Sequence, residues 1–367
     1  MTKKKKRRGF LLLKVSYRLI AAVCALALLI SYLSIFINPQ HFPFISFFGL
    51  YYIPIAIVNV ILLLIAILRR SKGGWIPFIT LLPSLFFAEF YIQFGNREEI
   101  SIENEIKILS YNVGRFSSGK GDFGSNLKGI SQLVKEENPD IITFQEYKTS
   151  DTLDIKRNFP NYPFVQQRFF HFSKGKQFVG NIILSKYPII HSGKIPFTNT
   201  TNLATYSDID IGGKVTRIYN LHLESNSISL TSMIKKINGT YEEFSNEVSN
   251  VHQKVKKSNN RRSEQVKMVI EHIEKCPFAS IVCGDFNDTP MSYSFRKLYD
   301  GRKDTFKERG NGFGATYATL WPLLRIDYIL TPERYTITDH KTRRVRYSDH
   351  YPIMAKFSSD TLKSDYK

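Results

Sequence analysis

Two long apolar stretches without a charged residue stand near the amino terminus of this 367-residue sequence. One runs from Leu19 to Ile37, nineteen residues, and the other from Phe47 to Leu68, twenty-two residues. As a helix, either stretch is long enough to cross a hydrocarbon core of about 30 Å. Both are therefore predicted to span a membrane.

A third stretch, from Trp75 to Phe94, has a similar length but contains Pro77, Pro83 and Glu89. We favour a third crossing, and a re-entrant or interfacial segment is the alternative. A signal peptide would end in a small-residue cleavage site, which 31–38 does not offer, so the anchor is expected to be retained. Residues 1–96 are thus predicted to form a membrane anchor with about three transmembrane helices.

Basic residues predict the orientation of this anchor. Eight Lys and Arg residues precede Leu19, none lies in the loop 38–46, and three more follow the second stretch at once. By the positive-inside rule, the amino terminus and the second loop are cytoplasmic. Three crossings then place everything after Gly95 outside the cytoplasm, whereas two would leave it in the cytosol.

The net charge of +19 divides between the two parts of the chain. Residues 1–96 hold 11 Lys and Arg against one acidic residue, a net +10, and the rest holds 40 against 31, a net +9. The second value suits an anionic partner such as nucleic acid or lipid, and equally a solubilising surface. Three cysteines are too few for a disulfide scaffold and lack the paired spacing of a zinc site.

Beyond a linker at 97–105, short apolar runs alternate with helical periodicity, which predicts a mixed α and β domain over 106–358 and a tail over 359–367. One helix is centred on Ile130, and another runs from about Ser263 to Lys275. The expected strands are Ile106–Asn112, Asp140–Glu146, Asn181–Ser185, Val215–Glu224, Ser280–Asp285, Arg325–Leu330 and Pro352–Phe357.

Polar side chains that could take part in catalysis or metal binding stand at the ends of these strands. They are Asn112, Glu146, His222, Glu224, Asp285, Asn287, Asp349 and His350. A single Asp or Asn after a strand is usually a turn former or a helix cap. Because strand ends open onto loops where a site can be assembled, the repetition predicts one shared cleft.

Six segments resemble, in order, the signature set of the endonuclease/exonuclease/phosphatase superfamily. They are 110–112 (SYN), 140–146 (DIITFQE), 220–223 (NLHL), 284–287 (GDFN), 325–330 (RIDYIL) and 348–350 (SDH). The resemblance covers about 106–357 and implies an α/β fold, a four-layer α/β/β/α sandwich preceded here by the helical transmembrane region. It also implies hydrolysis of phosphoester bonds with a divalent metal, Mg²⁺ or Mn²⁺.

The resemblance assigns the metal to Glu146, Asn112 and Asp349. A carboxylate at a strand end is the hard oxygen donor that Mg²⁺ prefers, which makes Glu146 the best candidate ligand. Asn112 is expected beside it, on metal or phosphate, and Asp349 on metal or water. No other cofactor is implied.

The catalytic roles implied by the resemblance fall on five residues. Asp285 would take the proton of the attacking water, and Asn287 would orient that water or the phosphate. His350 would donate to a phosphoryl oxygen, held and charged by Asp327, while His222 would donate to the same phosphate or near the leaving group.

Two arginines and one insertion have no motif to assign them. Arg115 and Arg325 are each expected either to reach a phosphate or to form an ordinary ion pair. Residues 225–262 are longer than an ordinary connection and carry an amphipathic helical pattern at Phe244, Val248, Val251 and Val255. This insertion is expected to form a wall or lid of the cleft.

These observations together predict an integral membrane enzyme, a metal-dependent hydrolase of phosphoester bonds whose catalytic domain is extracytoplasmic. Its partners are the lipid bilayer and a phosphoester substrate, and the sequence identifies no protein partner. A nuclease-like phosphodiesterase, a lipid head-group phosphodiesterase and a phosphomonoesterase share this chemistry, because fold and catalytic set do not fix the substrate. A catalytically inactive binding module is the alternative of another class.

Overall fold

The computed structural model describes residues 3–94, 100, 102, 104–151, 153–172, 177–226 and 240–359. The chain divides into two compact units. The helical unit comprises Met1–Glu89, Ile228–Asn260 and Thr289–Arg296, and the catalytic unit comprises Phe90–Ser227, Arg261–Asp288 and Lys297–Lys367. The first division falls at Glu89, and the helical unit also takes in two later segments.

The amino-terminal helices are α1 (Lys3–Leu33), α2 (Pro43–Leu50), α3 (Tyr52–Leu68), α4 (Trp75–Leu81) and α5 (Ser84–Ala88). Within the residues described, Leu13–Leu33 of α1 is long and apolar enough to cross a membrane. A signal sequence near an amino terminus would pass the same test. Helices α2 and α3 reach the required length only together, with a bend of 63° between them.

The third apolar stretch is not one continuous helix. It is divided between α4 and α5, and the chain then forms a short strand, Ile92–Gln93. Pro83 stands at the break, where a proline lacks the N–H that would continue the hydrogen-bond pattern of α4. By length and composition, one described helix, or two if the bent pair is one span, could cross a membrane. The third crossing expected from the sequence stays a prediction.

The catalytic unit contains two mixed six-stranded sheets. The strands are β1 (Ile92–Gln93), β2 (Ile106–Asn112), β3 (Ile141–Thr149), β4 (Phe164–Phe172), β5 (Gln177–Ser185), β6 (Ile189–Ile195), β7 (Leu203–Ile211), β8 (Lys214–His222), β9 (Ala279–Asp285), β10 (Arg302–Asp304), β11 (Gly312–Phe313), β12 (Asp327–Pro332), β13 (Thr336–Thr342) and β14 (Ile353–Ser358). One sheet has the order β13-β14-β2-β3-β5-β4, the other has the order β10-β12-β9-β8-β7-β6, and β1 pairs with β11.

The two large sheets pack face to face through an apolar layer rich in isoleucine. Ile108 of β2 belongs to this layer, whereas the next residue, Leu109, packs on the opposite face among helix residues. Because both faces of the strand are buried, β2 reads as a nearly continuous apolar run rather than an alternating one.

Helices cover the outer faces of both sheets. Helices α6 (Phe123–Glu137) and α7 (Asp154–Asn158) share a core with the first sheet. On the second sheet, His272 near the end of α8 (Tyr241–Glu274) bonds the Tyr219 hydroxyl of β8 at 2.8 Å. Two shorter helices follow, α9 (Tyr293–Tyr299) and α10 (Thr305–Arg309). The α/β/β/α sandwich predicted from the sequence is confirmed.

All seven predicted strands are present, with small changes at their ends, and four further long strands, β4, β6, β7 and β13, were not predicted. The helix expected from Ser263 begins at Tyr241. Val251 and Val255 of this helix are buried, as the amphipathic pattern predicts. Residues 227–239 of the insertion, and the side chains of Phe244 and Val248, lie outside the described part of the chain.

Candidate active site

The sheet topology brings the predicted site residues to one edge of the sandwich. Strands β2 and β3 run parallel, as do β8 and β9, so the carboxyl ends of each pair lie together. In register, His222 stands opposite Asp285, and Asp285 also stands opposite Asp327 of the antiparallel strand β12. Residues from distant parts of the sequence therefore meet where these strands end.

Glu146 reaches the cleft through an irregularity in β3. The register with β5 shifts between Phe144 and Tyr147, and Glu146 has a left-handed backbone with φ 52°. Such a bulge re-aims a side chain, and non-glycine residues with positive φ are concentrated at functional sites. The strand is thus distorted at the residue predicted to hold the metal.

The Glu146 carboxylate lies between the guanidinium of Arg115 and the imidazole of His222. Its Oε2 is 3.0 Å from Arg115 Nε, and its Oε1 is 3.5 Å from His222 Nε2. Burial opposes ionisation, but His222, Arg115 and His350 outweigh it and lower the pKa of Glu146. Asn112 also hydrogen-bonds this carboxylate, so the group is held ionised at neutral pH.

Asp285 is almost fully buried at the end of β9. Its carboxylate accepts hydrogen bonds from Asn112 Nδ2 at 3.0 Å, from the Asn287 backbone N–H at 2.8 Å and from Asn287 Nδ2 at 3.2 Å. Burial raises the pKa of Asp285 to about 6. The preceding Gly284 has φ 127°, and a Cβ there would run into the Leu221 carbonyl oxygen, so this approach of β9 to β8 requires glycine.

His350 and Asp327 form a buried pair, with Nδ1 and Oδ2 2.9 Å apart. The other ring nitrogen, Nε2, lies 3.7 Å from Asp285 Oδ2. Burial alone would lower the pKa of His350, but the carboxylates of Asp327, Asp285 and Asp349 raise it to about 10. His350 is therefore an imidazolium at neutral pH, with both ring nitrogens acting as donors.

Asn287 adds a second left-handed backbone to the site, with φ 52°. Its amide nitrogen donates to the Leu223 carbonyl at 2.9 Å as well as to Asp285. This pair of bonds fixes the side chain beside the Asp285 carboxylate.

Tyr317 belongs to the site but carries no sequence motif. It forms a β-bridge with His350, and the two ring centroids are 5.3 Å apart. Burial raises the pKa of its phenol, and Asp349, Asp285 and Glu146 raise it further. The Tyr317 phenol therefore lies within electrostatic range of three carboxylates. Its place in the site follows from the fold and not from a sequence motif.

The residues predicted to hold a metal offer oxygen ligands. Asp349 lies next to Gly114, two residues beyond Asn112, where a Cβ would come 2.9 Å from Asp349 Oδ1. Glu146 supplies an ionised carboxylate, and the Asn112 amide oxygen accepts from the Gly114 N–H at 3.0 Å. Carboxylate and amide oxygens fit a hard divalent cation such as Mg²⁺.

A second group of potential ligands, Asp285, Asp327 and His350, has ligand atoms within 4.8 Å of one another. The carboxylates and imidazole of this group also suit proton transfer and anion binding, whereas the oxygen ligands at Glu146, Asn112 and Asp349 suit a hard cation.

Arg325 does not reach the cleft. It is buried with Asp304, its NH1 and NH2 lying 2.7 and 2.6 Å from the two carboxylate oxygens. The expectation that Arg325 contacts a phosphate is wrong, because the side chain points into the core. Arg115, by contrast, is half exposed and stands at the site with Glu146.

A cavity of about 590 Å³ opens at this edge of the catalytic unit. It is lined by Arg115, Glu146, Asn199, Thr200, Thr201, Asn202, His222, Glu224, Ser225 and Arg261. Sequence reasoning identified Glu146, His222 and Glu224 in this wall and named Arg261 among basic residues that could touch phosphate or lipid, but it missed 199–202, which carry no recognisable motif.

Comparison with known proteins is consistent with this geometry. The sequence pattern described as the Endonuclease/Exonuclease/phosphatase family matches residues 109–350. The chain therefore belongs to this family, a superfamily of phosphoester hydrolases that generally use divalent metals. A pattern described as a domain of unknown function matches residues 12–91. No curated protein matches the sequence.

Solved structures share the fold at low sequence identity. An endonuclease/exonuclease/phosphatase from Beutenbergia cavernae has a TM-score of 0.53 at 15% identity, with 70% of this chain and 72% of that chain covered. A mannosyl-6-phosphatase from Bacteroides thetaiotaomicron has a TM-score of 0.50 at 16% identity, covering 69% and 99%. A humanized D. rerio TDP2 has a TM-score of 0.50 at 18% identity, covering 70% and 100%.

Proposed function

We propose that the chain is a membrane-tethered hydrolase of phosphoester bonds that depends on Mg²⁺ or Mn²⁺. The observation that carries this proposal is the convergence of Glu146, Asp285 and His350 at one edge of the sandwich. Asn112 hydrogen-bonds the carboxylates of Glu146 and Asp285, His350 Nε2 lies 3.7 Å from Asp285 Oδ2, and Glu146 lines the open cavity. Each residue supplies a different requirement of phosphoryl transfer: a metal ligand, a base and a donor for developing negative charge.

The reaction adds water to phosphorus and breaks the bond from phosphorus to the alcohol oxygen. Asp285 takes a proton from the attacking water, and Asn287, bonded to Asp285, orients that water. A pKa near 6 makes Asp285 a better base than an ordinary aspartate while keeping it largely ionised at neutral pH. The electron pair of the broken bond goes to the departing alcohol, which picks up a proton.

His350 and His222 act on the phosphoryl oxygens. His350, charged and held by Asp327, donates to an oxygen that becomes more negative in the transition state. His222 and Arg115 flank Glu146 and bind the same phosphate from the other side of the cleft. A divalent cation held by Glu146, Asn112 and Asp349 would supply positive charge to the phosphoryl group.

Contacts within the helical unit support an extracytoplasmic catalytic domain. Gly73, just before the third stretch, lies against Tyr17 of α1. Further along α1, the Tyr32 hydroxyl lies 2.8 Å from the Thr80 carbonyl and 2.6 Å from Ser84 Oγ. From Tyr17 to Tyr32, α1 rises about 22 Å. The broken segment α4–α5 thus follows α1 along much of its length, away from the basic amino terminus.

With the basic end of α1 in the cytoplasm, a crossing by this segment would place the residues after Gly95 on the opposite side of the membrane, as expected for three crossings.

The catalytic proposal is tested with the full-length protein in detergent. We expect hydrolysis of bis(p-nitrophenyl) phosphate that stops with EDTA and returns with Mg²⁺ or Mn²⁺. Glu146→Gln should raise the metal concentration needed for half-maximal activity, whereas the remote surface variant Asp339→Asn should not. Turnover that survives exhaustive EDTA treatment would contradict the role given to Glu146.

The orientation is tested by reporter fusions after Phe94. An extracytoplasmic position predicts that alkaline phosphatase is active there and that green fluorescent protein is dark. The reverse pattern would place the catalytic domain in the cytosol.

Substrate class is tested by a panel with both metals. Plasmid DNA, phospholipid vesicles and sugar phosphates separate a nuclease from a lipid head-group phosphodiesterase and from a phosphomonoesterase, the activity named for the Bacteroides thetaiotaomicron neighbour. Saturable metal binding without turnover on any of them would favour an inactive binding module.

A further inference from the structure

The cavity extends well beyond Glu146 and His222, and its walls are mainly polar. None of its ten lining residues is aliphatic, and the one aromatic ring among them is the imidazole of His222. Half of them are hydroxyl or amide side chains: Asn199, Thr200, Thr201, Asn202 and Ser225. This composition constrains the group that lies next to the scissile phosphate.

The outer wall of the cavity is built around Glu224. Thr200 Oγ1 lies 2.8 Å from Glu224 Oε2, and Arg261 NH1 donates to Glu224 Oε1 at 3.1 Å. The Glu224 backbone is fixed as well, because its N–H donates to Gln265 at 2.8 Å and its carbonyl accepts from Arg262 at 2.9 Å. These bonds hold a carboxylate, a guanidinium and a hydroxyl side by side at the cavity surface.

This outer wall is joined to the catalytic group through one carbonyl oxygen. Leu223 O accepts from Asn202 Nδ2 at 2.8 Å and from Asn287 Nδ2 at 2.9 Å. Asn202 also lies 2.7 Å from the Thr200 hydroxyl through its Oδ1. The wall therefore has a fixed position relative to the residue that would orient the attacking water.

We infer that this wall, formed by Thr200, Asn202, Glu224 and Arg261, binds a polyhydroxyl ring, a sugar or cyclitol, esterified to the scissile phosphate. The inference rests on the proposed hydrolytic function and names the alcohol part of its substrate. A carboxylate accepts hydrogen bonds, a guanidinium donates them and an amide does both, so together these groups can pair with neighbouring hydroxyls of one ring. In the reaction this ring leaves as the free alcohol, with its oxygen taking the bond pair and a proton.

Other alcohol groups fit the wall less well. Nucleobases bind single-strand sites by stacking on aromatic rings, and quaternary ammonium groups are recognised by aromatic cages. Acyl chains require an apolar lining. The lining residues form no aromatic cage and no apolar surface, and their one ring, the imidazole of His222, is assigned to the phosphate.

Matched phosphodiesters test the inference on the full-length protein. Glycerophosphoinositol and glycerophosphocholine differ only in the alcohol, and we expect kcat/KM to favour the inositol ester by about tenfold or more, the effect of one or two hydrogen bonds. Phosphatidylinositol and phosphatidylcholine in mixed micelles repeat the comparison for a lipid source. A dinucleotide is the third arm.

Three variants of the wall extend the test. Thr200→Val, Glu224→Gln and Arg261→Lys should each lower the inositol-to-choline ratio of kcat/KM, mainly through KM for the inositol ester. Thr198→Val, in the same loop but outside the cavity lining, should keep the wild-type ratio. Because Arg261 is about one-third exposed, its variant is expected to fold even if Glu224→Gln does not.

The outcomes separate this inference from the proposed function. Metal-dependent hydrolysis of bis(p-nitrophenyl) phosphate with equal rates on both glycerophosphodiesters, or a preference for the dinucleotide, would overturn the inference alone. A lowered inositol-to-choline ratio of kcat/KM in the control variant Thr198→Val would also overturn the inference. Absence of hydrolysis on every ester, including the nitrophenyl compound, would instead overturn the function.

Discussion

The catalytic unit holds two buried groups built from the same kinds of residue, and only one of them is equipped for chemistry. The first contains Asp285, Asp327 and His350 at the cleft. The second contains Asp304, Arg325 and His340 in the core. Both bury carboxylate and imidazole groups beside a positive charge. The cleft group has a second carboxylate where the core group has a guanidinium.

In the core group every charge is matched. Asp304 takes two bonds from Arg325, and it also caps α10 through the Phe306 N–H at 3.1 Å. The guanidinium lies 4.6 Å from the ring centroid of Phe306. Burial lowers the pKa of His340 to about 3, so this imidazole stays neutral.

In the cleft group the charges are not matched one to one. Two carboxylates face a single imidazolium, and Asp327 Oδ1 is buried without a hydrogen-bond partner among the described atoms. The pKa of Asp285 is raised to about 6 and that of His350 to about 10. Such displacement of pKa values is typical of catalytic groups, which are arranged for reaction rather than for stability.

The largest expected effect comes from replacing the carboxylate of Asp285. Asp285→Asn should lower kcat about 10⁴-fold, because no base remains to take the proton of water. The free energy of unfolding should stay the same or rise, since one of two neighbouring buried carboxylates loses its charge. Steady-state hydrolysis and urea unfolding on the same preparation measure both quantities. Near-normal turnover would remove Asp285 from the mechanism.

The matching change in the core group should have the opposite signature. Asp304→Asn leaves Arg325 buried without a full counter-charge, which should lower the free energy of unfolding by about 4 kcal/mol. The kcat of the remaining folded protein should be close to that of the wild type. The double variant Asp304→Asn with Arg325→Met should recover part of the lost stability. If the single variant kept its stability but lost turnover, the two groups would not differ as described.

The difference between the two groups also explains what could be predicted from sequence. The six motifs, in the order of the family's signature set, identified the fold and the polar residues at the strand ends. These residues meet because parallel strands and their neighbours end at one edge of the sandwich. Arg325 shows the limit of this reasoning. It is two residues from Asp327, yet it points into the core toward Asp304, and only the tertiary partner reveals the direction.

Other features depended on contacts that no local pattern encodes. Tyr317 reaches the site through an isolated bridge to His350, and Thr200 through a bond to Glu224, twenty-four residues away. The bulge at Glu146 is a break in register between two strands rather than a property of the segment. Pro83 of the third apolar stretch, in contrast, was visible in the sequence, and it marks where the helix breaks.

The smallest expected effect concerns the pH dependence of stability through His340. Its imidazole is neutral in the folded protein because its pKa is about 3, whereas an unfolded histidine has a pKa near 6.5. Between these values the unfolded chain binds a proton that the folded chain does not, so stability falls as pH decreases. From pH 7 to pH 5 this residue should cost about 2 kcal/mol. Urea unfolding of His340→Gln should show a correspondingly flatter pH dependence. Equal slopes for His340→Gln and the wild type would show that the core imidazole is not held neutral.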